Sequence, residues 1–165
     1  MKKENRNWAE LEQLLAKGNS IQIWPKGYSM YPLFRPEKDE AIISPVTGKL
    51  KRGEVVLYER MEGVLVLHRI CKVNRKGYYM VGDNQYLVEG PIDQSQIKGI
   101  LTEVIRDGEH FSVGDRSYRR AVRIWLMLRP FRVQIIRMIS AKRRKENTTC
   151  WKKNSDVNWR DNKFN

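Results

Sequence analysis

Between Ile21 and Ser112 the chain breaks into short apolar runs divided by Gly, Pro and Asn, with no helical run alternating between them. The runs are Ile21–Trp24, Glu40–Pro45, Glu54–Tyr58, Leu65–Val73, Gly77–Val81 and Lys98–Ile105. Gly48, Gly53, Gly63, Gly82, Gly90 and Gly108 fall between or beside them, where turns are wanted. Strands of this length and spacing, without crossover helices, predict a mainly β, antiparallel domain. With 165 residues and 41% hydrophobic composition, the chain can build a buried core around such a sheet.

Helical periodicity flanks the β region on both sides. In residues 5–17, Trp8, Leu11, Leu14 and Leu15 recur at helical spacing, and Gly18 supplies a stop. No second helix follows to complete a helix-turn-helix. In residues 117–142, Ile124, Leu128, Phe131, Ile135 and Ile139 form a second apolar stripe, which Pro130 should kink or split. The last twenty residues lack periodicity and read as a disordered tail. The expected organisation is therefore an N-terminal helix (1–19), a β domain (20–115), a basic amphipathic segment (116–145) and a tail (146–165).

Charge separates these regions sharply. Residues 1–115 hold 17 Lys/Arg against 16 Asp/Glu, whereas residues 116–145 hold 11 Lys/Arg and no acid. Most of the net +13 thus lies on one amphipathic stretch. Its arginines alternate with Trp, Leu, Phe and Ile, a pattern that favours an anionic membrane surface over specific nucleic acid. Arg119, Arg120, Arg123, Arg129, Arg132 and Arg137 are the expected contacts, and arginines inside the apolar window argue against a spanning helix. The N-terminus has neither the apolar core nor the cleavage site of a signal peptide. Cys71 and Cys150 make no disulfide framework and no zinc spacing, so no metal or cofactor is expected. These features predict a cytoplasmic or peripherally membrane-associated protein.

Three clusters carry chemistry. Gly27-Tyr28-Ser29-Met30-Tyr31-Pro32 sets a serine on a Gly/Pro turn directly after a strand. A serine hydroxyl is a poor nucleophile unless a base and oxyanion donors stand beside it. His68 lies inside the strand VLVLHRICKV, where alternation puts it with Val66, Ile70 and Lys72 and puts Arg69 on the other face. Of the two histidines, His110 sits in the polar stretch RDGEHF, which leaves His68 as the imidazole whose unperturbed pKa, ~6.5, suits general-base work. Gly82-Asp83-Asn84 forms a turn after YYMV, and Asp83, or the later Glu89 or Asp93, has the chemistry to orient an imidazole.

Together these clusters resemble signal peptidase I and its relatives, the superfamily that also holds the SOS and phage repressor autopeptidases. Gly27, Ser29, Met30 and Pro32 match every fixed position of the nucleophile motif G-x-S-M-x-P. At roughly 5% per fixed residue, such a match arises by chance on the order of once in a thousand chains of this length. DEAIISPV, KLKRGEVVLYE, LHRI, GDN and KGILTEVI follow in the family's order, with Glu54 where the family has Asp. The similarity spans Ile21 to Ile105.

The resemblance implies a signal-peptidase-like β fold and the branch that uses histidine where most bacterial members use lysine. Ser29 then corresponds to the nucleophile, His68 to the general base and Asp83 to the acidic partner, with Glu89 at the position of a further aspartate. Gly27 stands where some relatives carry a hydroxyl donor, so the oxyanion hole is left to backbone donors such as the Ser29 N–H. A groove walled by Met30, Tyr31, Leu33 and Phe34 would admit an extended leader or preprotein peptide.

Two departures accompany the match: residues 1–19 do not read as the N-terminal anchor expected of the family, and QYLVEGP follows GDN in place of an acid-rich continuation. The expected activity is a serine endopeptidase acting on a leader or signal-like peptide. The alternatives are a Ser-Lys mechanism through Lys72, or an inactive peptidase-like module whose basic tail binds membrane or nucleic acid. A self-cleaving repressor switch is not expected, because residues 5–17 read as one helix and not as a DNA-binding motif.

Overall fold

The computed structural model describes residues 8–36, 38–61, 63–131, 134, 135 and 138. Helix α1, Trp8–Ala16, buries Leu11 and Leu15, one helical turn apart. It stops at Gly18, whose φ of +87° lets the Gly18 and Asn19 N–H groups return to the Leu15 and Leu14 carbonyls.

Eight strands follow: β1 Ile21–Ile23, β2 Asp39–Ser44, β3 Val55–Glu59, β4 Leu65–Asn74, β5 Gly77–Val81, β6 Glu89–Ile92, β7 Ile97–Arg106 and β8 Glu109–Ser112. They form one antiparallel sheet in the order β1-β2-β7-β3-β4-β5-β6, with β8 also paired to β7. The chain is thus mainly β and antiparallel, as its punctuation predicts. Two strands, β6 and β8, were not legible: EGPI has a proline and EHFS is exposed along its length, so neither shows an apolar run.

Strand β3 is buried on both faces, and its run VVLY is accordingly continuous rather than alternating. Val55 and Leu57 join Leu11, Leu15, Met30, Phe34, Leu67 and Leu101 in one cluster. Val56 and Tyr58 join Ile70, Met80, Ile92 and Ile97 in the other. His68 pairs with Val56 and so belongs to the second face, whereas Arg69 pairs with Val55 on the first.

Helix α2, Arg116–Met127, packs on this unit through Val122 and Trp125. The stripe read from the sequence is not the packing face: Ile124 is 57% exposed and Phe131 58%. The buried positions lie on the helix face away from Ile124, a choice that periodicity alone does not make. The helix ends three residues before Pro130, which falls in a short 3₁₀ turn, Arg129–Phe131. The chain divides into two compact units, Met1–Met127 and Leu128–Asn165, so α2 belongs with the sheet. Arg132, Arg137 and the tail 146–165 lie outside the described residues, as does the side chain of Arg129. Among the described residues no helix is long and apolar enough to cross a membrane.

Candidate active site

Ser29 sits half-buried in the turn between β1 and β2. Gly27, at φ +82°, makes the left-handed step into that turn, and the Tyr31 and Phe34 N–H groups close it onto the Tyr28 and Met30 carbonyls. Met30 and Phe34 point into the first core cluster, so of the expected groove wall only Tyr31 and Leu33 keep partial exposure. The far end of the loop is tied down by buried Asp39. It accepts hydrogen bonds from the Arg35 backbone and side chain at 2.7 and 2.8 Å and an ion pair from Arg106. Burial acts to raise the Asp39 carboxyl, but the bonds from Arg106 and Arg35 outweigh it and hold it below its ordinary value.

The GDN turn backs directly onto the serine. The Asn84 N–H donates to the Ser29 carbonyl at 2.7 Å. A Cβ on Gly82 would stand 2.6 Å from that same oxygen, so only glycine fits there. Arg69 pairs with Val81, the last residue of β5, and His68 is the residue of β4 just beyond that pair. Ser29 and His68 are thereby brought to the same end of β4 and β5. No hydrogen bond joins them among the described residues, and neither the Ser29 N–H nor its Oγ makes one there.

His68 is buried and has a defined tautomer. The Tyr58 hydroxyl donates its single proton to Glu89 Oε2 at 2.7 Å. Its oxygen, 3.2 Å from His68 Nδ1, can therefore only accept, which puts the imidazole proton on Nδ1. Glu89 Oε1 lies 3.6 Å from the same nitrogen. Nε2 is left with its lone pair and makes no hydrogen bond among the described residues. Burial pushes the imidazole down to about 4, with the Glu89 charge opposing the shift. Burial also works to raise Glu89, but bonds from Arg60 and Tyr58 prevail and hold it ionised below its usual range.

The acids divide differently from the reading by resemblance. Asp83 is not beside the imidazole: both its oxygens bind Arg69, at 2.9 and 2.7 Å, in a fully buried pair. Arg69 also donates to the Gly53 carbonyl at 2.7 Å, and Trp125 of α2 donates to the Asp83 carbonyl at 3.1 Å. Asp93 caps the 3₁₀ turn Gln94–Gln96. Glu89 is the carboxylate nearest His68. Lys72 follows a β-bulge between Ile70 and Lys72, which moves it off the face of His68 and over the ring of half-buried Tyr79, 5.5 Å from its centroid.

Tyr58 and Arg60 went unnoticed in the sequence. A signal existed, because Tyr58 stands two residues beyond the strand partner of His68 and so shares its face. No group of His, Cys, Asp and Glu among the described residues is arranged to hold a metal ion. Compared with family models, with curated proteins and with solved structures, the chain matches none.

Proposed function

We propose that this chain is a serine endopeptidase of the signal-peptidase type, with Ser29 as nucleophile, His68 as general base and Glu89 as the orienting acid. One observation carries the reading: the Nδ1 proton of His68 is committed to Tyr58 beside Glu89, which leaves Nε2 as a basic lone pair near the serine turn. The G-x-S-M-x-P match at Ser29 supports it independently.

In the proposed reaction Nε2 takes the Oγ proton as Ser29 attacks a peptide carbonyl. The unbonded Ser29 N–H receives the oxyanion, and the imidazolium returns its proton to the leaving amine. Water then repeats the sequence on the acyl-enzyme. Glu89 stabilises the imidazolium and partly offsets the burial that disfavours it. Oγ reaches Nε2 on substrate binding, as catalytic contacts often tighten only in the complex. The substrate is a leader or signal-like peptide bound extended past Tyr31 and Leu33, and the exposed arginines of α2 hold the enzyme at an anionic membrane surface.

The burial of His68 favours a second reading, a peptidase-like binding module without turnover. A serine-directed acylating inhibitor separates the two. Stoichiometric labelling mapped to Ser29, lost in His68→Ala, is the expected result. Unlabelled protein, or label on another serine, rejects the peptidase.

A further inference from the structure

A recess lies between α2 and strands β3 and β7, on the sheet face opposite His68. It is a cavity of about 670 Å³, within the ~300–1,000 Å³ typical of ligand pockets. Val55 and Leu101 line it from the sheet and Val122 and Leu126 from the helix. Its exposed lining is cationic: Lys51, Arg52, Arg119 and Arg123 stand around it, and none pairs with a carboxylate among the described residues. Glu54, the acid in the lining, is already engaged by the Lys51 backbone N–H at 2.7 Å. Arg69 in the wall is neutralised by Asp83. Tyr118 accepts from Arg69 at 3.5 Å and keeps its own proton for another acceptor.

An apolar interior alone selects no charge, and a cationic surface alone selects no chain. The two together select a molecule with both parts. We propose that this cavity binds a monomeric single-chain anionic amphiphile of the fatty-acid type, its acyl chain under α2 and its head among Lys51, Arg52, Arg119 and Arg123. The site shares no residue with Ser29, His68 or Glu89, and the proposal stands independently of the peptidase reading.

Calorimetric titration of the full chain with oleate below its micellar concentration tests it. Saturable one-to-one binding is expected, weakened at least tenfold in Arg52→Gln/Arg119→Gln, two exposed substitutions. A neutral monoacylglycerol of the same chain length should bind as weakly to the native protein as oleate does to that variant, and inorganic phosphate should not bind measurably. A photoreactive oleate analogue on the native chain should mark residues 100–102 or 118–127. Absence of saturable binding, unchanged affinity in the double variant, phosphate binding as tight as oleate, or adducts confined to the Ser29 loop would each overturn the site. Association seen only when anionic vesicles are present overturns it too, because the ligand is then the surface and not a monomer in the cavity.

Discussion

At the scale of single residues, His68 is where folding and chemistry conflict most. Enclosed by the second core cluster, it stays neutral in the fold down to about pH 4. The same imidazole protonates near ~6.5 in an unfolded chain. Between these values the unfolded state binds the extra proton, so this contribution to stability is complete above ~6.5 and falls as pH is lowered. It levels off below about 4. At 1.36 kcal/mol per unit, the loss between pH 7 and pH 5 is roughly 2 kcal/mol. Urea titrations at the two pH values should show that loss in the native chain and its absence in His68→Gln. An equal loss in both proteins would mean the imidazole is solvated. If His68 is also the base, the acid limb of the rate profile falls near the same low value instead of near ~6.5.

At the scale of elements, the buried pair Arg69–Asp83 joins β4, the turn after β5, the Gly53 turn and helix α2. Removing one partner leaves an uncompensated charge in the interior, which costs about 3–5 kcal/mol. Asp83→Asn should therefore lower the melting temperature markedly, while Ser29 labelling per folded molecule persists. Loss of labelling at unchanged stability would instead return Asp83 to the catalytic group. The sequence shows why the two roles were hard to part. GDN follows β5 in the right place for either, and only the register, with Arg69 on one face and His68 on the other, decides which side chain the acid meets. Strand positions were legible because Gly and Pro punctuate them. The β-bulge that moves Lys72, the proline-bearing β6 and the packing face of α2 depend on partners far along the chain, and no local pattern carries them.

At the scale of the whole molecule, charge and exposed apolar surface coincide on one side of α2. Arg120 and Arg123 are exposed beside Ile124, and Met127 is 78% exposed, while Val122 and Trp125 hold the opposite side to the sheet. Ile124 lies outside both the packed side of α2 and the lining of the cavity beneath it, so it has no internal use. A basic face with interspersed apolar groups instead suits the headgroup boundary of an anionic bilayer. Truncating the chain before α2 would expose Val55 and strip the Trp125 bond from Asp83, so substitution is the cleaner probe. Each arginine near such a surface contributes on the order of 1 kcal/mol, so Arg120→Gln/Arg123→Gln should weaken binding to phosphatidylserine vesicles roughly 30-fold. Ile124→Ser should weaken it further at high salt, where screening leaves mainly the apolar contact. Sedimentation with phosphatidylserine and phosphatidylcholine vesicles measures both effects. Salt-sensitive binding to the anionic vesicles is the expected result, and indifference to lipid charge would reduce α2 to a packing helix.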